Sequence, residues 1–207
     1  MRVDDLFPPE IIDEDIRKMM GGAALGAAIM ATPTTAKAPT EEPIAISQRD
    51  AMVLAQTIWG EARSHGEEGM RAVGHVVLNR AESGKPRLFG AGVVGAATKD
   101  KQFSCWNPGD PNRDRMAHMV ELDQQIRRGE TPDGTPYEVW SKTGEGQEYR
   151  AWIEAKRIAR SILAGKSNDP TGGALFYHTT AVHPKWSTRM TPIGQIANHI
   201  FYRGPNS

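Results

Sequence analysis

A carboxylic acid at the border of an apolar helix face is the chemistry-bearing feature of this chain. Residues Ala51, Leu54, Ala55, Ile58 and Ala62 recur at helical spacing. At about 100° per residue they form one stripe, and Glu61 falls beside Leu54 at its edge rather than on the opposite face. A carboxyl group at such a border is partly withdrawn from water. Desolvation disfavours the charged form, which is how a carboxylic acid keeps its proton near neutral pH and serves as a general acid. Gly60 beside it is expected to leave one side open for an approaching ligand. The competing reading is an ordinary helix-end glutamate paired with Arg63 or Arg80.

Two other chemistries compete. Cys105 is the single cysteine, and His178, His183 or His199 could serve it as a base, which would make a cysteine peptidase. Against this, Cys105 follows Ser104 in a loop, with no helix N-terminus to activate a thiolate. The same three histidines could hold zinc, but no His-Glu-x-x-His or similar word is present. No metal and no cofactor is expected. With one cysteine, neither an intrachain disulfide nor a cysteine-based zinc site can form within this sequence.

The elements that must position these residues follow from periodicity and turn residues. The chain has 207 residues, 39% of them apolar, enough for one domain with a sizeable core plus a tail. Lys and Arg balance Asp and Glu at 25 each, so no global charge favours nucleic acid, and none is expected as a partner. Ser47 to Asp50 read as a helix start resembling a capping box. A second helix is predicted over 68–80, a third over 114–128 ended by Gly129, and a fourth over 149–164 with Gly165 as its cap. Residues 82–113 read as loops with short helical turns, and 130–147 as a long surface loop. The aromatic runs 174–178 and 199–203 read as strands pairing in a small antiparallel sheet. The fold class predicted is α+β, mostly helical, with a catalytic domain over 47–207.

Residues 1–46 differ from the rest. An acidic stretch with a Pro8-Pro9 break precedes a Gly/Ala-rich uncharged run over 19–31, and a Thr/Pro/Ala/Glu linker over 32–43 follows. The run falls short of the roughly 20 residues that span a bilayer as a helix. An export signal would carry a short basic region in front, whereas here Asp4, Asp5, Glu10, Asp13, Glu14 and Asp15 precede it. The segment reads as a small-residue helix that meets a membrane or a protein partner. The oligomeric state is not readable from the sequence.

Several words in order add to this reading. Trp59-Gly60-Glu61-Ala62-Arg63 is followed by Val76-Val77-Leu78-Asn79-Arg80, then by Lys101-Gln102-Phe103-Ser104-Cys105-Trp106. Gly173 to His178, Trp186 and His199 to Arg203 complete the series. Over residues 48–203 the chain resembles the SleB/CwlJ family of cell wall hydrolases. The resemblance implies a lysozyme-like catalytic domain acting on peptidoglycan glycan strands at the cell envelope, with Glu61 as the catalytic acid. It implies a groove lined by Gln102, Phe103 and Ser104 and by the aromatic block of Tyr177, His178 and Trp186. Asn79 is a further candidate for sugar binding through its amide. The expected reaction is cleavage of the β-1,4 bond between N-acetylmuramic acid and N-acetylglucosamine, giving 1,6-anhydromuramoyl ends. Hydrolysis by a carboxylate pair needs a second acid. Glu67, Glu68, Asp100 and Asp110 are candidates, none within a recognisable word. The N-terminal segment suits a phage-type member, a lysin or an enzyme carried in the particle. A particle component that keeps the fold without activity is the non-enzymatic alternative.

Overall fold

The computed structural model describes residues 46–204. The acidic stretch, the 19–31 run and the linker, with the membrane, partner and phage readings that rest on them, lie outside the described residues. Among the described residues no helix is long and apolar enough to cross a membrane.

The first helix, α1 (Gln48–Ala62), starts where expected: Ser47 accepts a hydrogen bond from the Asp50 amide at 3.3 Å. Helix α2 (Gly66–Glu82) follows after a tight corner in which Gly66 has φ +68°. The apolar faces of α1 and α2 meet α7 (Gly144–Leu163). Leu54, Ile58, Val73, Val77, Trp152, Ile158 and Ile162 are buried there. Gly74 faces side chains of both other helices. A Cβ on it would stand 2.6 Å from Ile162 Cδ1 and 2.8 Å from Ile58 Cδ1, so any larger residue would force these two isoleucine ends to shift.

Between α2 and α7 lie α3 (Pro86–Phe89), α4 (Gly92–Thr98), a 3₁₀ turn (Ser104–Trp106), α5 (Pro111–Arg127) and α6 (Tyr137–Trp140). The short helical turns expected in 82–113 are therefore present. Helix α7 begins five residues earlier than the apolar stripe indicates, because Thr143 caps it through the Gly146 amide at 3.1 Å. The long loop expected over 130–147 is accordingly interrupted by α6 and shortened by the start of α7. A buried ion pair joins α5 to α7: Lys156 Nζ reaches both Asp123 oxygens at 2.8 and 2.7 Å, and Tyr149 donates to the same carboxylate at 3.0 Å. Burial lowers the Lys156 pKa, and the Asp123 carboxylate opposes that shift.

The sheet has three antiparallel strands in the order β1 (Phe176–Thr179), β3 (His199–Tyr202), β2 (Pro192–Ile196). The expected pairing of the two aromatic runs is present, with Tyr177 opposite Phe201 and Thr179 opposite His199. Strand β2 was not expected. It is exposed at Pro192 to Gln195, bulged between Pro192 and Gly194, and pairs only at the outer edge of β3. The chain is thus mostly helical with one small antiparallel sheet, an α+β fold.

Candidate active site

Glu61 occupies the last turn of α1 and is half-buried. Its Oε1 accepts two hydrogen bonds from the 3₁₀ turn, from Ser104 Oγ at 3.0 Å and from the Cys105 backbone amide at 2.8 Å. Its Oε2 accepts one from Tyr177 Oη in β1, at 3.1 Å. A buried bond from Trp106 Nε1 to Thr57 Oγ1 at 2.9 Å pins the 3₁₀ turn one helical turn before Glu61. Three elements distant in sequence thus converge on one carboxyl group.

Gly60 does not do what its position suggests. It is buried, and the space beside it is filled by Cys105 and Met116. A Cβ there would lie 2.6 Å from Cys105 Cβ and 3.0 Å from Met116 Sδ. Its small size brings the Cys105 amide onto Glu61 rather than opening a path for ligand. Arg63 does not pair with Glu61 either. It donates to Asn112 Oδ1 at 3.0 Å and lies 4.4 Å over the Trp59 ring, so it latches α1 to α5.

The surrounding charges are set by burial. Burial first, and then the neighbouring Glu61 charge, push the Tyr177 hydroxyl well above its ordinary pKa, so it stays a neutral phenol able to donate or accept. Arg80 is buried, and desolvation lowers it to about 10 against the opposing pull of Tyr177 and Glu61, so it remains a cation at neutral pH. His199, edge-on to Tyr177 at 4.8 Å and to His65 at 4.6 Å, is lowered to about 4 by burial, then by His65 and His178, and is neutral at pH 7.

The other expected site residues divide into two groups. Ser104 is exposed and bonded to Glu61, and Gln102 is half-buried on the same segment. Phe103 is a core residue, 1% exposed. Asn79 donates to Asp169 Oδ2 at 3.0 Å and to the Ala174 carbonyl at 3.1 Å, which fastens α2 to the segment leading into β1. His178 is buried, with Nδ1 on the Thr179 carbonyl and Nε2 on Tyr202 Oη, both at 2.8 Å. Trp186 is half-buried against Phe176, His178 and Tyr202. Phe103 and His178 are therefore buried within the protein, Asn79 is half-buried with its amide nitrogen engaged, and Gln102, Ser104, Tyr177 and Trp186 retain surface.

The competing chemistries fare worse. Cys105 has no exposed surface, and burial followed by the Glu61 charge raises its thiol pKa strongly, the reverse of an activated nucleophile. The three histidines do not converge. His178 and His199 lie on opposite faces of the sheet and His183 is exposed, and no metal-holding cluster occurs among the described residues. Of the possible second acids, Glu67 pairs with Arg157 at 2.8 Å and Asp110 caps α5 through the Asn112 amide at 2.8 Å. Glu68 and Asp100 are exposed.

Sequence reasoning named Arg80 only as an alternative ion-pair partner of Glu61 and missed its place between the two segments that hold that carboxyl group, and it could not single out the Cys105 amide, since every residue but proline carries one. The Arg80 signal was present: a charged residue closing the otherwise apolar face of α2.

Comparison with known proteins bears on this site. The profile of the cell wall hydrolase family matches residues 64–202, a range that begins just after Glu61. The spore cortex-lytic enzyme of Oceanobacillus iheyensis is 27% identical over 162 residues, covering 77% of this chain and 43% of that protein. The chain thus spans less than half the length of this curated relative. Among solved structures, the catalytic domain of the Bacillus cereus SleB protein is 24% identical with a TM-score of 0.45, covering 81% of this chain and 100% of that one. The catalytic domain of the germination-specific lytic transglycosylase SleB from Bacillus anthracis is 23% identical with a TM-score of 0.45, covering 78% and 100%. On the extent of the profile match, this chain belongs to the cell wall hydrolase family.

Proposed function

We propose that this protein cleaves peptidoglycan glycan strands as a lytic transglycosylase at the bacterial cell envelope, with Glu61 serving in turn as acid and base. The bond cleaved is the β-1,4 link between N-acetylmuramic acid and N-acetylglucosamine. The observation that carries the reading is the asymmetric set of donors on the Glu61 carboxyl group. An N–H can only donate, so the Cys105 amide keeps Oε1 an acceptor. The acid proton therefore belongs on Oε2, where Tyr177 Oη can accept as well as donate. Oε2 passes its proton to the glycosidic oxygen as the bond to C1 breaks and an oxocarbenium-like centre forms. The carboxylate left behind keeps its three donors. It then takes the proton from the muramoyl C6 hydroxyl, whose oxygen closes onto C1 to give the 1,6-anhydro ring. One carboxyl group suffices because the nucleophile belongs to the substrate.

The pairing of Glu67 with Arg157 and the capping role of Asp110 favour this over hydrolysis with either of them as the second carboxylate. Gln102, Ser104, Tyr177 and Trp186 have surface left for sugar, and Asn79 keeps part of its own. Digestion of purified peptidoglycan with product masses read by spectrometry tests the proposal. Muramic acid ends lighter by one water than the reducing form are expected. A product made up only of reducing ends overturns the transglycosylase step, and cleaved stem peptides overturn the glycan assignment.

A further inference from the structure

The donors that hold Glu61 come from two separate segments, the 3₁₀ turn with Ser104 and Cys105 and strand β1 with Tyr177. Arg80, in the last turn of α2, touches both. Its guanidinium carbon lies 4.7 Å from the ring centre of Phe103, the residue before Ser104. Its Nε donates to the Leu175 carbonyl at 2.7 Å, two residues before Tyr177. Phe89 and Phe176 complete the aromatic surround at 5.5 and 5.8 Å. The side chain is only 5% exposed, and its Nη1 has no hydrogen-bond partner. Burying a cation without a bonded carboxylate is costly, and a methionine would fill such space without that cost. A planar donor that must grip two segments at once accounts for the charge being there.

We propose that Arg80 is a positioning residue for the Glu61 site, clamping segment 103–105 to segment 175–177 so that the donors on the two carboxyl oxygens stay in register. The inference rests on Glu61 being the acid. Lysine carries the charge but lacks the flat fork that stacks on Phe103 while bonding Leu175, so it does not substitute.

The test measures kcat and KM on purified peptidoglycan, with a thermal melt for each protein. The variants are Arg80→Lys, Tyr177→Phe, their combination, and Glu61→Gln. Folded Arg80→Lys is expected to lose kcat by roughly tenfold or more with KM little changed, since small misplacements of reacting groups are expensive. The loss is expected to be less than multiplicative with Tyr177→Phe, because part of what Arg80 does is to place the Tyr177 hydroxyl on Oε2. Wild-type kcat in folded Arg80→Lys, or losses that multiply, overturn the clamp. Should Arg80→Lys not fold, Phe103→Leu removes the ring under the guanidinium while keeping most of the volume, and the same two outcomes decide. An active Glu61→Gln would sink the acid assignment and the clamp together. A dead Glu61→Gln beside a fully active Arg80→Lys sinks the clamp alone.

Discussion

The two faces of the small sheet carry similar residues and do different things. Tyr177, His199 and Phe201 lie on one face, and Phe176, His178 and Tyr202 on the other. The first face reaches out of the sheet: the Tyr177 hydroxyl crosses to Glu61 on α1. On the second, His178 stacks on Tyr202 at 5.3 Å with both ring nitrogens satisfied locally, and Phe176 packs on Phe89. Tyr177 and His178 are neighbours in sequence, yet a single step along the strand separates a candidate catalytic contact from a packing one. A group whose hydrogen bonds are completed internally has none left for a substrate.

Substitutions on the two faces should therefore part company. The largest effect belongs to the group that the first face serves: Glu61→Gln should lower turnover by roughly 100- to 10,000-fold, the range of a general acid–base group. Tyr177→Phe removes one hydrogen bond to a charge and should cost roughly 10- to 100-fold in kcat, with a near-unchanged melting temperature. A melt that collapses while kcat per folded molecule survives would erase the difference between the faces. His178→Ala should show that opposite pattern, losing about 1–3 kcal/mol of stability in a denaturant titration with kcat per folded molecule retained.

His199 gives a smaller, pH-dependent effect. Its pKa is depressed to about 4 from 6.5. Between those values the unfolded chain binds a proton that the folded protein refuses, so its contribution to stability is present above about 6.5 and lost as pH falls towards 4. Melting temperature should thus fall less steeply with acidification in His199→Phe than in wild type; parallel curves would contradict this. Cys105→Ala should have the least effect on kcat, since the backbone amide that donates to Glu61 at 2.8 Å is kept; a large loss of kcat would instead give the thiol, which also bonds Glu61, a part in the site.

Reading the sequence reached different depths in different places. Helix α1 and its Ser47 cap were visible, because a capping residue and an apolar period are local signals. The β1–β3 pairing followed from two aromatic runs. Strand β2 was hidden because an exposed, bulged edge strand has no buried alternation to reveal it. In the site, the Glu61 border position was readable from helical angle. The function of Gly60 was not, since what fills the space beside a glycine comes from residues 105 and 116, far along the chain. The sequence nominated Asn79 and His178 by residue type, but only three-dimensional contacts reveal that the Asn79 amide nitrogen and both His178 ring nitrogens are already occupied.

The most direct measurement compares wild type with Glu61→Gln on the same purified peptidoglycan, both confirmed folded by their melts, with soluble products followed by mass spectrometry. Wild type should release fragments ending in 1,6-anhydromuramic acid, and Glu61→Gln should release essentially none. Equal release by the two proteins would contradict the role assigned to Glu61.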